Sequence, residues 1–162
     1  MLNLLDASPE IIAESLARAD VLKLNEAEAQ QLGTIFDLAR GSIAEFAVAA
    51  IARWQLDLCV ITLGERGVLA VSAKSGVIYI PGHRISVVDT CGAGDAFTAG
   101  FVHWHLRGHP LAECCQFGNA RGALVAAQRG ATAPIAVTEI QKLLRHESPR
   151  IIKPALLEYR RE

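Results

Sequence analysis

The stretch Asp89-Thr90-Cys91-Gly92-Ala93-Gly94-Asp95-Ala96-Phe97-Thr98 joins a glycine-rich turn to a carboxylate, and its flanks say what kind of turn it is. Ile85-Ser86-Val87-Val88 before it is an apolar run that predicts a buried strand. Ala96, Phe97, Gly100, Phe101 and Trp104 after it recur at helical spacing. A strand-to-helix turn of this type leaves the backbone N–H groups of Gly92, Ala93 and Gly94 without intrahelical partners, aimed at an anion with the helix dipole behind them. Asp95 falls in the first helical turn, beside whatever those groups hold. A carboxylate beside an anion hole is the equipment of phosphoryl transfer: it can accept the proton of an attacking hydroxyl while the N–H groups neutralise charge on the moving phosphoryl oxygens. A bare G-x-G-D can equally be a tight turn followed by an acidic residue that favours the positive end of its helix. The Walker pattern is absent, and Phe97 stands where a dinucleotide fingerprint needs a small residue.

The string Val88 to Phe97 closely resembles the C-terminal signature D-T-x-G-A-G-D of the ribokinase-like carbohydrate kinases, the PfkB family. Further landmarks follow the family's order. Asn25-Glu26-Ala27-Glu28 resembles its N-x-x-E motif, and Thr62-Leu63-Gly64-Glu65-Arg66-Gly67 its T-x-G-x-x-G nucleotide loop. Phe117-Gly118-Asn119-Ala120 and Gly130-Ala131-Thr132 resemble the segments that close over adenine. The likeness covers residues 15 to 140 and is nearest in texture to fructokinase-like sugar kinases.

What the resemblance implies is ATP- and magnesium-dependent phosphorylation of a sugar hydroxyl. Asp95 is then the general base, and Gly92, Ala93 and Gly94 the anion hole. Asn25 and Glu28 organise magnesium and phosphates, Thr62, Gly64 and Gly67 lie along the nucleotide, and Asn119 lies near the base. Several relatives also hold a monovalent cation, K+, through residues matching Asp89 and the Gly130 loop; here Pro134 replaces a hydroxyl-bearing residue of that set. Each motif has a plainer reading. Asn25 and Glu28 form a capping box, Thr62 is a β-branched strand end, Gly64 and Gly67 make a turn, and Asn119 is a polar residue within a helix.

A chain of 162 residues, 51% hydrophobic and 20% charged, is long enough to bury about 70% of its unfolded surface as one soluble domain. Sixteen basic against 17 acidic residues leave a formal net charge of −1, so no global field attracts nucleic acid or an anionic membrane. Nucleotide and a small sugar are the expected partners. No apolar run approaches the roughly 20 residues that span a bilayer, and no signal-like N-terminus is evident, so a cytoplasmic location is expected. Cys59, Cys91, Cys114 and Cys115 lack metal-ligand spacing and read as reduced packing residues, Cys91 as a spacer beside the anion hole. His103, His105 and His109 read as solvated.

Ser8 with Pro9 opens a helix to about Ala19, Val21 to Leu24 is a short strand, and the Asn25 helix is expected to stop near Gly33. Ser42 and Glu45 form a capping box for a helix with Ile43, Phe46, Ala47, Ala50, Ile51 and Trp54 on one apolar face. Leu58 to Leu63 is a buried strand, and Val68 to Ser72 with Val77 to Ile80 a hairpin. Pro110 begins a long helix to about Gln128, and Thr138 to Gln141 caps a last short one. This alternation predicts an α/β fold, a ribokinase-like layered sheet with helices on both faces, in which residues 1–145 form the C-terminal, nucleotide-side part of a kinase domain and 146–162 a tail beyond the core. Met1-Leu2-Asn3 reads as the stump of a preceding strand. The family's N-terminal half, with its first strands, sugar contacts and lid, has no counterpart here, and a sheet cut there predicts an exposed edge. A homodimer, a truncated non-catalytic remnant and a nucleotide-binding half that pairs with a separate N-terminal partner all remain open on these grounds.

Overall fold

A computed structural model of the chain describes residues 7–38, 41–132, 134–145 and 149–161; the expected Met1-Leu2-Asn3 strand stump lies outside them. Strands β1 (Val21–Asn25), β2 (Leu58–Thr62), β3 (Val68–Ser72) and β4 (Gly76–Ile80) form a sheet in the order β1-β2-β3-β4. The chain divides into two compact units, one of residues 1–62 and 69–77, the other of 63–68 and 78–162.

In the first unit β1 and β2 run parallel, Val21 opposite Leu58 through Asn25 opposite Thr62, with α2 (Glu26–Ile35) and α3 (Ile43–Trp54) between them in sequence. Parallel strands buried on both faces need continuous apolar runs, and β2 is one, with Leu58 to Ile61 all buried. Both helices begin on full capping boxes: Asn25 with Glu28, and Ser42 with Glu45. Each box gives partners to two backbone donors a helix start would orphan. Phe46, Ala47 and Ala50 are the buried face of α3 as expected; Ala44 joins them, and Ile43, Ile51 and Trp54 are only partly covered. The stop expected near Gly33 falls two residues later. The helix runs on to Ile35, and a Cβ on Gly33 would lie 3.4 Å from the Phe46 ring. Helix α1 (Pro9–Leu16) starts on Ser8 and buries Ile12 and Leu16.

In the second unit α4 (Ala93–His105) packs along α5 (Leu111–Ala126), and α6 (Val137–Arg145) buries Ile140 against Phe117 and Ala120. The α4–α5 approach is close because Gly100 faces Phe117 and Gly118 faces Phe97, where an added Cβ would stand 3.2 and 3.0 Å from those rings. Exposed His105 stacks on Phe101, and half-buried His109 stacks on Trp104 at 4.2 Å between ring centroids. Helix α6 starts earlier than the Thr138 cap predicted: Glu139 and Ile140 donate to the Ala136 carbonyl, and Thr138 is already inside.

Two expectations fail here. Ile85 to Val88 is no buried strand. The N–H groups of Val88 and Asp89 both donate to the Ala126 carbonyl at the end of α5 instead of to a ladder, and Val87 and Val88 are 52% and 58% exposed. The segment after Ser148 is no tail. Its residues Arg150–Ile151 form β6, antiparallel to β5 (Gly82–His83), and the following 3-10 turn, Pro154–Tyr159, buries Leu156. Apolar Ile151 and Leu156 are available for burial, which a solvated tail would waste.

That pairing creates a pH-sensitive contact. His83 is 3% exposed, and Arg150 Nη1 lies 2.9 Å from its Nε2. A guanidinium can only donate, so that nitrogen is the bare acceptor of a neutral ring. Burial first, and the adjacent positive charge second, push its pKa down to about 4. Between pH 6.5 and 4 the unfolded chain therefore takes up a proton that the native chain refuses. Stability is full above pH 6.5 and falls as pH drops through that window, by about 2–3 kcal/mol. His83→Gln keeps an acceptor for Arg150 but cannot be protonated; urea unfolding at pH 7 and pH 4.5 is expected to show that part of the pH slope gone.

Candidate active site

The turn before α4 is built by three contacts. Gly92 sits at φ +75°, and a Cβ there would collide with the methyl of Ala131, so only glycine fits on both counts. Asp89 holds the turn from below: its Oδ1 accepts from Cys91 N at 2.9 Å and its Oδ2 from Gly130 N at 3.2 Å, joining the turn to the loop after α5. The Ala93 N–H is spent on the Thr90 carbonyl at 3.2 Å, which removes it from the expected trio of free donors. No side chain caps α4. Among the described residues the N–H groups of Gly92, Gly94 and Asp95 have no acceptor, and the exposed Asp95 carboxylate has no hydrogen-bond or ionic partner. A helix start with unsatisfied donors and an uncommitted carboxylate one step on is able to hold an anion and take a proton beside it.

In the first unit, Asn25 and Thr62 are register partners at the carboxyl ends of two parallel strands, the edge where open α/β sheets take their ligands. Thr62 Oγ1 donates to the Leu24 carbonyl at 3.3 Å. Asn25 and Glu28 are committed to each other: Glu28 N donates to Asn25 Oδ1 at 2.8 Å, and Asn25 N to Glu28 Oε2 at 2.7 Å. The cap is thus real, and it uses Oε2 of half-buried Glu28, leaving Oε1 without a bond among the described residues. Among the described residues no three carboxylate, histidine or cysteine side chains cluster as a metal cage. One oxygen donor of this sort suits magnesium, which keeps most of its waters and is held chiefly by substrate phosphates. The K+ expectation fits less well. Both Asp89 oxygens already accept backbone N–H bonds, and Pro134 offers no hydroxyl.

The T-x-G-x-x-G segment is a 3-10 turn, Gly64–Arg66, closed by Leu63 N donating to the Gly67 carbonyl at 2.8 Å. It lies on the backbone of residues 80–82. A Cβ on Gly67 would meet the Ile80 carbonyl oxygen, and one on Gly82 the Glu65 carbonyl oxygen. Half-buried Asn119 donates from Nδ2 to the carbonyls of Ile80 and Pro81 at 3.3 and 3.2 Å, fastening α5 to the same stretch. Tyr79, which no sequence pattern singled out, donates its hydroxyl to the Arg66 carbonyl at 2.7 Å. A strand tyrosine carries no local signal of that partner. Cys59, Cys114 and Cys115 are buried, and burial raises the Cys59 thiol to about 12; Cys91 alone is exposed. Among the described residues no helix is long and apolar enough to cross a membrane.

Residues 1–138 match the family model described as pfkB family carbohydrate kinase. A fructokinase of Vibrio alginolyticus is 32% identical over 141 residues, which are 83% of this chain and 44% of that protein. Among solved structures, ribokinase of Thermotoga maritima superposes with a TM-score of 0.75 at 27% identity, covering 83% of this chain and 45% of its own. Fructokinase of Vibrio cholerae, solved with fructose, ADP and calcium ion bound, gives 0.68 at 31%, covering 83% and 44%. The chain spans less than half the length of each.

Proposed function

This chain belongs to the pfkB family of carbohydrate kinases, and we propose from that footing that it serves the ATP-dependent phosphorylation of a sugar hydroxyl. The observation that carries the reading is the start of α4, where free donors at Gly92, Gly94 and Asp95 stand beside an uncommitted carboxylate. In this reading the donors bind phosphate oxygens, and Asp95 accepts the proton of the sugar hydroxyl as it attacks. Ala93 supports the turn through its bond to Thr90 rather than donating to the anion. Gly64 and Gly67 shape the nucleotide loop, and Asn25, through Glu28, orients the oxygen that would hold magnesium through water. Magnesium, when bound, would neutralise phosphate charge. Thr62 is assigned to the nucleotide by its place at the strand end beside Asn25. Asn119 acts on the nucleotide through the backbone it holds.

Because the relatives are so much longer than the matched part, a second reading assigns the sugar pocket to a partner polypeptide, with this chain as the nucleotide-binding half. One titration and one assay test both. Calorimetry with Mg-ADP on the folded chain is expected to show binding, with a stability gain of about 2.7 kcal/mol at a hundredfold excess over Kd. No heat and no stabilisation at millimolar nucleotide would remove the reading. Coupled ADP release with fructose or ribose, by the chain alone and with a family N-terminal half added, separates a self-sufficient enzyme from a half.

A further inference from the structure

Residues 79–84 carry two loads at once. On them rests the nucleotide loop: Gly67 and Gly82 meet backbone to backbone, and the Tyr79 hydroxyl donates to the Arg66 carbonyl. On them also rests the C-terminal segment, which lies beyond the 138 residues that match the family model. Gly82 and His83 pair with Ile151 and Arg150, Arg84 N donates to the Pro149 carbonyl at 2.8 Å, and Arg161 N to the Tyr79 carbonyl at 3.1 Å. Tyr79 is the point where the two meet, because its hydroxyl also accepts from Lys153 N at 2.8 Å. It is wholly buried, so no water competes for either bond. Leu156, 2% exposed, anchors the segment from its own 3-10 turn.

We infer that the C-terminal segment 149–161 is a built-in brace for the nucleotide loop, acting through Tyr79 as a positioning residue. The chain runs Lys153 N–H to Tyr79 O–H to the Arg66 carbonyl, the last residue of the turn before Gly67. An oxygen that both accepts and donates in a dry site has one rotamer that satisfies both partners, so fixing the segment fixes the turn. Sequence position gives no hint of this, since Arg66 and Lys153 are remote in the chain. The role in binding rests on the reading that Gly64 to Gly67 lie along a nucleotide; the mechanical coupling does not.

Two variants test it. Tyr79→Phe keeps the ring and removes both bonds. Leu156→Ala loosens the anchor while leaving the Tyr79 hydroxyl and the residues of the loop chemically unchanged. Amide hydrogen exchange is measured on the unliganded full chain, and Mg-ADP affinity by calorimetry. In both variants exchange at residues 64–67 is expected to quicken by about tenfold while Phe97 to Phe101 and Phe117 to Ala120 keep wild-type protection, the pattern of a local opening. If the loop then holds its binding shape about a fifth of the time, the apparent Kd for Mg-ADP rises about fivefold. Unchanged exchange at 64–67 in both variants overturns the inference. So does an equal rise across the whole second unit, which would make the segment a cover for the core. A wild-type chain that binds no Mg-ADP removes the nucleotide reading instead, and the exchange comparison still decides the coupling.

Discussion

Asp95→Asn lowers sugar-dependent turnover by about 10²–10⁴-fold in any preparation that phosphorylates a sugar, and leaves Mg-ADP binding intact. The substitution keeps the side chain's shape and removes its ability to take a proton. Its structural cost is small because the carboxylate has no bond to lose among the described residues. The one electrostatic loss is the acidic charge in the first turn of α4, worth about 0.5 kcal/mol at an exposed helix start. Removing a negative charge next to bound phosphates does not weaken nucleotide affinity and by Coulomb's law favours it. The two readouts therefore move apart: kcat collapses and Kd for Mg-ADP holds or tightens. Coupled ADP release and calorimetry on the same protein check this. Wild-type turnover in the substituted chain would reduce Asp95 to an acidic residue that favours the helix dipole, the plainer reading of G-x-G-D.

The features legible in the sequence are those whose causes lie within a few residues of one another. The two capping boxes, the apolar face of α3 and the start of α4 depend on i to i+3 or i+4 relations, and the structure carries them as expected. The two larger failures have distant causes. Ile85 to Val88 has a strand's composition, but its N–H groups find the end of α5, about forty residues on, and that choice is invisible to a local pattern. The segment after Ser148 looks polar and proline-broken, yet two residues of it complete a ladder with Gly82 and His83. Asn119 illustrates the same limit within the site. Its motif assigns it to adenine and says nothing of the bonds its Nδ2 makes to the carbonyls of Ile80 and Pro81, remote in sequence and adjacent in space. Asp89, singled out for a cation, also joins two loops through Cys91 N and Gly130 N, and the second of these partners is beyond any local pattern.

The glycines of T-x-G-x-x-G bring the local and the distant cause into one motif, and their alanine variants are expected to differ sharply. Gly64 has φ +61°, and an added Cβ there has nothing within 4 Å. Gly64→Ala therefore pays only the left-handed backbone term, about 1–2 kcal/mol. Gly67 has φ +100° and ψ −137°, outside the left-handed helical region, where an L side chain is strained whatever the space. There is also no space. The Cβ would overlap the Ile80 carbonyl oxygen and stand 2.6 Å from Gly82 N and 2.8 Å from the Pro81 carbonyl carbon, all of them backbone atoms that cannot swing aside. Strain and overpacking together put Gly67→Ala at about 3–5 kcal/mol, a large share of what a domain of this size has to lose. Urea unfolding in a Trp54→Phe background, where the fluorescence comes from Trp104 in the same second unit as this loop, reads both variants. Equal losses would mean that the loop can lift away from residues 80–82 at little cost. A large loss confined to Gly67→Ala would assign the second motif glycine to backbone packing, leaving Gly64, with nothing near its Cβ position, as the one free to approach a ligand.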